Sequence, residues 1–535
     1  MTTDDRTAAA RDVIAAGRAT LGIELGSTRI KAVLLGDHPG AVIASGGSEW
    51  ENRFVDRLWT YSLEDVESGL QAAYADLAAD VRRRYGVDLE SLAAVGVSAM
   101  MHGYLAFGPD DELLVPFRTW RNTNTERAAR ALTERFGTNI PLRWSVAHLY
   151  QAVLDEEAHV PEIRHLTSLA GYVHCRLTGR QVLGIGDASG VFPIDVTTAD
   201  YDPELLARFD ELTAGTALGR PLRELLPDVL VAGEPAGNLT QEGALLLDPS
   251  GTLQPGAVLC PPEGDAGTGM VATGAVAPRT GNVSAGTSIF AMVVLERPIE
   301  GVHEEIDVVT TPSGDAVAMV HCNNGASELA AWVGLFSRFA ATLGAPAGAD
   351  AVYEALFREA LEGDADAGGL LAYNTLAGEP ILGLPEGRPL VVRAPDSSLT
   401  LANFVRAQLY SVFGALSIGM AILQAQGVVL DRMMAHGGMF RTAGVAQRFL
   451  AGALNAPVAV AHTAAEGGAW GIAVLAGYAR AADGIDLDAY LRDTVFSATE
   501  IDTVEPDPAD VAGFAAFLDR YRAGVPVERA AVDAL

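Results

Sequence analysis

Apolar and polar positions alternate along this chain in two recurring forms. Short apolar runs end in clusters of glycine and hydroxyl residues, and longer stretches carry apolar residues at helical spacing. From Thr20 to Gly36 the sequence TLGIELGSTRIKAVLLG joins an apolar run to a β-branched-rich run through Gly26, Ser27 and Thr28. From Gly281 to Glu296, GNVSAGTSIFAMVVLE repeats that design around Gly286, Thr287 and Ser288. Each stretch predicts a β-hairpin with glycine at the tight turn. After the first hairpin, SLEDVESGLQAAYADLAADVRRRYG (Ser62 to Gly86) predicts a helix with Ser62 as N-cap, and LAAVGVSAM (Leu92 to Met100) predicts a strand.

Towards the C-terminus, RMMAHGG predicts a strand ending in Gly437 and Gly438, whose missing side chains leave room for a flat ring against the backbone. TAGVAQRFLAGALNAP then predicts a helix ending near Asn455 and Pro457, and PVAVA a further strand. EGGAWGIAVLAGYA (Glu466 to Ala479) predicts a small-residue helix suited to close packing, and SATEIDTVEPDPADVAGF (Ser497 to Phe514) reads as a peripheral helix and linker. Two hairpins of one design, among strands that alternate with helices, imply two related α/β domains. Their glycine-rich turns are expected to face each other across a ligand cleft.

Length agrees with that division, because 535 residues exceed what one core usually organises and two domains of roughly 250 residues are expected. A net charge of -31 argues against a nucleic-acid partner, since such binding draws on Lys and Arg at the phosphates. The three cysteines, Cys175, Cys260 and Cys322, lie far apart without metal-ligand spacing, so a reducing, cytoplasmic setting is expected. The first twenty residues begin acidic and lack an apolar core, unlike a secretory signal. No uninterrupted apolar run reaches the roughly 18 residues of a membrane span, so no membrane partner is expected.

The chemistry concentrates at the turns. Glycine lets backbone N–H groups approach phosphate oxygens, and neighbouring hydroxyls add donors. Singly, either turn suits an ordinary hairpin; repeated, they suit a clamp on a polyphosphate. Lys31, the only lysine in the chain, follows the first turn on its returning strand, where a compact ammonium can approach phosphate. Asp265, in GDAGTG, suits either a solvated turn or the base that phosphoryl transfer to an alcohol requires. His102, in MMHG, can donate or accept toward a hydroxyl through either ring nitrogen.

The ordered series ELGSTRIK, SAMMHG, GDAGTGMVATG, SAGTSIF and AHGGMFRTAGVAQRFLAGAL resembles the FGGY carbohydrate kinases, and MMHGYLAF resembles the Met-His-Gly signature of their xylulokinase branch. The resemblance spans Thr20 to Tyr478. It implies two actin-like (ribonuclease H-like) α/β domains with a ligand cleft between them. Their expected bounds are 20–277 for a sugar-binding and 278–485 for a nucleotide-binding domain, with an N-terminal extension at 1–19 and a peripheral segment at 486–535.

The resemblance further implies ATP and Mg²⁺ as cofactors and a small-molecule sugar as partner; a homodimer is a further expectation. Asp265 would be the catalytic base. Gly26, Ser27, Thr28, Lys31, Gly286, Thr287, Ser288, Gly437 and Gly438 would bind nucleotide. Met101, His102, Trp120 and Asp265 would bind sugar, and Glu24 with Asp265 would hold the metal. The implied reaction is phosphorylation of the terminal hydroxyl of a ketopentose, with D-xylulose as the best single substrate and ribulose, a pentitol, or a non-catalytic sensor as alternatives.

Four positions depart from the family's pattern. Glu24 stands where aspartate is usual, Ala266 follows the base where relatives often place an amide, and TWRNTNTERA keeps Trp120 but carries Asn122 and Asn124 in place of an aspartate and an arginine.

Overall fold

The local signals resolve into the predicted elements. In a computed structural model, which describes residues 3–461, 467–481, 484–497 and 499–535, the first hairpin is Thr20–Leu25 with Arg29–Leu35 and the second is Thr280–Ala285 with Ile289–Val294. The helix Leu63–Tyr85 starts where Ser62 accepts the Asp65 N–H at 3.0 Å. It stops at Gly86, which takes φ +66° and donates its N–H to Arg82. Glu466 and Ala498, within two of the segments read above, lie outside the described residues.

The chain divides into two compact units. In the first, the sheet order is Val258–Leu259, Ala94–Ala99, Thr20–Leu25, Arg29–Leu35, Val42–Glu49, and Glu263–Gly264 also pairs with Ala94–Ala99. Thr20–Leu25 is antiparallel to its hairpin mate and parallel to Ala94–Ala99. Six strands of the second unit's sheet run Ala316–Cys322, Ile289–Val294, Thr280–Ala285, Arg432–His436, Val458–Ala461, Ile501–Val504. Here too the first hairpin strand has an antiparallel mate on one side and a parallel strand, Arg432–His436, on the other. The sequence echo is thus an echo of topology, and the fold is two actin-like α/β domains.

The units depart from the expected bounds: residues 3–19, 308–317, 467–481 and 484–497 belong with the first unit and 499–535 with the second. The small-residue helix Gly467–Ala481, placed by sequence order in the second domain, belongs to the first unit. The cause is steric fit: a Cβ on Gly22 would come within 2.1 Å of the Ala469 carbonyl oxygen, and one on Gly471 within 2.2 Å of that of Thr268. Only glycine at these positions lets this helix meet the strand Thr20–Leu25 and the helix Asp265–Thr273 at this distance. The N-terminal extension is a helix, Thr3–Ala15, whose Val13 and Ile14 join the core of the same unit.

Residues 499–535 of the last segment, expected to be peripheral, are integral to the second unit. Ile501–Val504 pairs with Val458–Ala461. The helix Pro508–Ala534 buries Phe514, Phe517 and Tyr521, and its Asp510 forms a buried ion pair with Arg406. Arg406 lies on Leu401–Ala425, a helix long and apolar enough by composition to cross a membrane. In the structure 78% of its most apolar window is buried in protein, as in a core helix.

Candidate active site

Strand register brings the two sugar-side motifs of the first unit together. Glu263 and Gly264 pair with Ser98 and Ala99, so that Asp265 and Met101 leave adjacent strand ends. There Oδ1 of Asp265 accepts the Met101 N–H at 3.1 Å. Asp265 opens the helix Asp265–Thr273, where uncompensated N–H dipoles favour a carboxylate. Its carboxyl is nonetheless pushed up to about 6, first by desolvation among surrounding groups and then by the charge of Glu24; the Met101 N–H opposes the rise. The carboxylate still reaches solvent, which moderates the desolvation; Glu24 drives the shift in the same direction.

His102 follows in a left-handed conformation, φ +68°, and its Nδ1 lies 3.2 Å from the Gly190 carbonyl oxygen. A carbonyl only accepts, so Nδ1 carries the proton. The His102 ring stacks on Trp144, 6.2 Å between centroids. The Trp144 indole N–H is buried and unpaired among the described residues.

Trp120 is half-buried against the core with the Arg121 guanidinium over its ring. Trp144 is therefore the indole beside His102, and no signal in its sequence neighbourhood marked it. Asn122 is buried and spans a backbone: its Oδ1 accepts from Trp59 N at 2.9 Å, and its Nδ2 donates to Trp59 O at 2.8 Å and Thr119 O at 3.0 Å. An aspartate could not donate to those two carbonyls, which accounts for the amide. Asn124 is exposed.

Behind Asp265 lies a second acidic layer. Glu263 accepts the N–H groups of Gly186 and Asp187 at 3.3 and 3.0 Å, and Asp187 is hydrogen-bonded to Ser168. Burial pushes both carboxyls upward, with the charge of Asp187 adding to the rise at Glu263 and that of Asp265 adding to the rise at Asp187. Glu24 sits directly across the hairpin from Lys31, with Nζ to Oε2 at 3.5 Å. The donor set fits Mg²⁺, a hard cation that takes one or two carboxylates and completes its shell with water and phosphate. Glu24 and Asp265 are the carboxylates that would hold it.

Both turns commit their carbonyls and the N–H of the leading glycine, and spare the two N–H groups that follow it. At the first, Gly26 O accepts from Trp50 Nε1 at 2.7 Å, Ser27 O from the Tyr61 hydroxyl at 2.6 Å, and Thr28 O from Trp50 N at 3.2 Å. Trp50 and Tyr61 stack at 4.2 Å. At the second, Gly286 O accepts from Ala326 N at 2.8 Å, Thr287 O from Gly325 N at 2.7 Å, and Ser288 O from Gly286 N at 2.9 Å. The N–H groups of Ser27, Thr28, Thr287 and Ser288 stay outside the described bonds, as an anion-binding turn requires. Neither Gly26 nor Gly286 takes a positive φ, and a Cβ would meet Arg29 O at 3.1 Å on the first but only Ser288 O at 3.9 Å on the second, so turn conformation does not require glycine at either.

Within the second unit Gly286, Thr287 and Gly438 line one cavity of about 730 Å³. Gly437, at φ +113°, lies against the backbone of Ala285, where a Cβ would fall 2.3 Å from its carbonyl oxygen. The cavity is also lined by Tyr353, Phe357, Met439, Arg441 and Ser327. Ser327 begins the helix Ser327–Thr342, whose N-cap, Ala326, supplies no side-chain acceptor. The cavity therefore combines uncapped helix N–H groups and a bare turn with aromatic and apolar walls that also carry Asp350, Glu354 and Arg358, a setting that can take a phosphorylated ring compound. Tyr353, Phe357 and the N-terminus of Ser327–Thr342 arrive by tertiary placement, which their own sequence did not announce.

Residues 19–249 match the N-terminal domain, and residues 281–480 the C-terminal domain, of the FGGY family of carbohydrate kinases. Among curated proteins the chain is similar to the xylulose kinase of Klebsiella pneumoniae, 23% identical over 53% of this chain and 56% of the relative, just over half that protein's length. It is similar also to the xylulose kinase of Haemophilus influenzae, 21% identical over 94% of this chain and 98% of that one. Among solved structures, the fold matches a xyloylose kinase from Brucella ovis (TM-score 0.76, 21% identity, 96% of this chain and 100% of that one). It also matches a gluconate kinase from Lactobacillus acidophilus (TM-score 0.75, 18% identity, 96% and 99%). With both domains matched in order around the geometry above, the chain belongs to the FGGY family of carbohydrate kinases.

Proposed function

We propose that the chain is an ATP-dependent kinase that phosphorylates the terminal hydroxyl of a ketopentose, with D-xylulose converted to D-xylulose 5-phosphate as the best single reading. The observation that carries it is the Asp265–Met101 contact, which sets a carboxylate beside the Met101–His102 pair. With its carboxyl at about 6, Asp265 is ionised at neutral pH yet basic enough to accept a proton in the transition state. The sugar oxygen forms a bond to the γ-phosphorus as the bond to the bridging β,γ-oxygen breaks. The hydroxyl proton passes to Asp265, and ADP leaves.

His102, with Nδ1 committed to Gly190, orients the polyol and is not itself the base. The two turns with uncommitted N–H groups hold phosphate oxygens as charge spreads over them, and the cavity of the second unit takes the adenosine. Mg²⁺, when bound by Glu24 and Asp265, supplies further neutralisation of that charge. The names of the relatives support xylulose. L- or D-ribulose and the pentitols are the runner-up substrates. A sugar-sensing protein on the same scaffold would have no use for Asp265 as a base.

The test is ADP release with Mg-ATP across D-xylulose, the ribuloses, pentitols, gluconate and glycerol, in the unaltered chain and in Asp265→Ala. One ketopentose should stimulate release well above background, and Asp265→Ala should abolish the stimulation. No stimulation by any acceptor would leave the sensor reading standing.

A further inference from the structure

The second turn is braced from behind by a buried amide network in the same unit. Gly325 and Ala326, which donate to Thr287 O and Gly286 O, follow directly on Asn324. Oδ1 of Asn324 accepts the N–H groups of Leu376 and Ala377, each at 2.9 Å. Its Nδ2 donates to Ala377 O at 3.1 Å and to Oε2 of Glu379 at 3.0 Å, and its backbone N–H reaches the same Oε2 at 3.3 Å. From the other side Asn374 Nδ2 donates to Asn324 O at 3.2 Å and Gly325 O at 2.8 Å.

Asn324, Asn374 and Glu379 are 6%, 4% and 0% exposed, so no water replaces a lost bond at low cost. The brace is tight: a Cβ on Gly325 would sit 2.4 Å from the Gly286 carbonyl oxygen. Every hydrogen-bonding group of the Asn324 side chain is used, and no other side chain offers one acceptor and two donors on so short a stem.

We infer that Asn324 is a positioning residue for the nucleotide phosphates. Held by Glu379 and the 374–377 loop, it fixes Gly325 and Ala326, and through them the Gly286–Ser288 turn and the start of the helix that lines the cavity. The N–H groups of Thr287 and Ser288 thereby stay uncommitted to protein carbonyls. The inference rests on reading that cavity as the nucleotide site.

The test uses the full chain as Asn324→Asp, Glu379→Ala and Glu379→Gln. Amide hydrogen exchange is followed in peptides spanning 284–290 and 401–425, with ADP affinity measured beside it. Asn324→Asp loses both side-chain donors and sets a carboxylate against Glu379; Glu379→Ala removes the acceptor; Glu379→Gln keeps one. The first two should speed exchange at 284–290 by tenfold or more, leave 401–425 unchanged and weaken ADP about tenfold, a differential effect typical of a displaced site. Glu379→Gln should leave the exchange at 284–290 as it was.

Unchanged exchange at 284–290, or a rise shared equally by 401–425, would overturn the inference, because the network would then serve only general stability. Absence of ADP binding by the unaltered chain would instead sink the nucleotide reading of the cavity, and exchange would still decide whether Asn324 holds the turn.

Discussion

Lys31, the only lysine in the chain, carries its Nζ 3.5 Å from Oε2 of Glu24, the residue directly opposite on the neighbouring strand. The pair joins two positions that the sequence suggested for separate tasks, phosphate contact and metal binding. With the Lys31 side chain 40% exposed, the ion pair contributes little to stability, at most about 1 kcal/mol. Lys31→Met should therefore leave the unfolding midpoint nearly unchanged while raising the KM for Mg-ATP, with Lys31→Arg intermediate. Steady-state kinetics beside thermal unfolding check this, and unchanged kinetics in both variants would make the lysine incidental.

Asp265 links activity and stability to pH with opposite signs. As a base it works ionised, so kcat/KM should fall about tenfold per pH unit once pH drops below about 6. Because its folded pKa is raised from 3.8, the folded state holds this proton more tightly than the unfolded chain. The group's stabilising contribution is full below the unfolded value and lost as pH rises through about 6. Asp265→Asn keeps an acceptor for Met101 and removes repulsion with Glu24. It should lower kcat by roughly a thousandfold while raising the unfolding midpoint at pH 8; a pH–rate profile and denaturant titrations measure both.

Asn122 makes a prediction without catalysis. Asn122→Asp loses two buried donor bonds to Trp59 and Thr119, which should cost roughly 1–3 kcal/mol in urea unfolding. A midpoint equal to that of the unaltered chain would show that the clamp is not needed.

Tyr61→Phe tests the first turn. It removes the donor to Ser27 O and frees that carbonyl to turn toward phosphate, so the KM for ATP should rise severalfold with the sugar KM unchanged. Equal effects on both substrates would place Tyr61 outside the nucleotide side.

What the sequence disclosed, and what it hid, follows from distance along the chain. The paired turns, the Ser62 cap and the Asn455 helix stop depend on neighbouring residues and were legible there. The meeting of Asp265 with Met101 was legible only through the order of motifs, because 164 residues separate them. Trp50, Tyr61, Trp144 and Asn324 make contacts that no local pattern specifies. The helix Gly467–Ala481 showed its small-residue face but not its partner, since the matching glycine, Gly22, lies at the other end of the chain. The final helix looked peripheral because its Phe514, Phe517 and Tyr521 declare a core only once the sheet they cover is in place.

The central claim, that this chain phosphorylates a ketopentose with Asp265 as base, is tested most directly by NMR of the product from D-xylulose and Mg-ATP in the unaltered chain and in Asp265→Asn. The account predicts a phosphate monoester at O5 that forms with ADP in equal amounts, and roughly a thousandfold more slowly in the variant. Orthophosphate as the only phosphorus product beside ADP, or an ester formed equally well by Asp265→Asn, would contradict it.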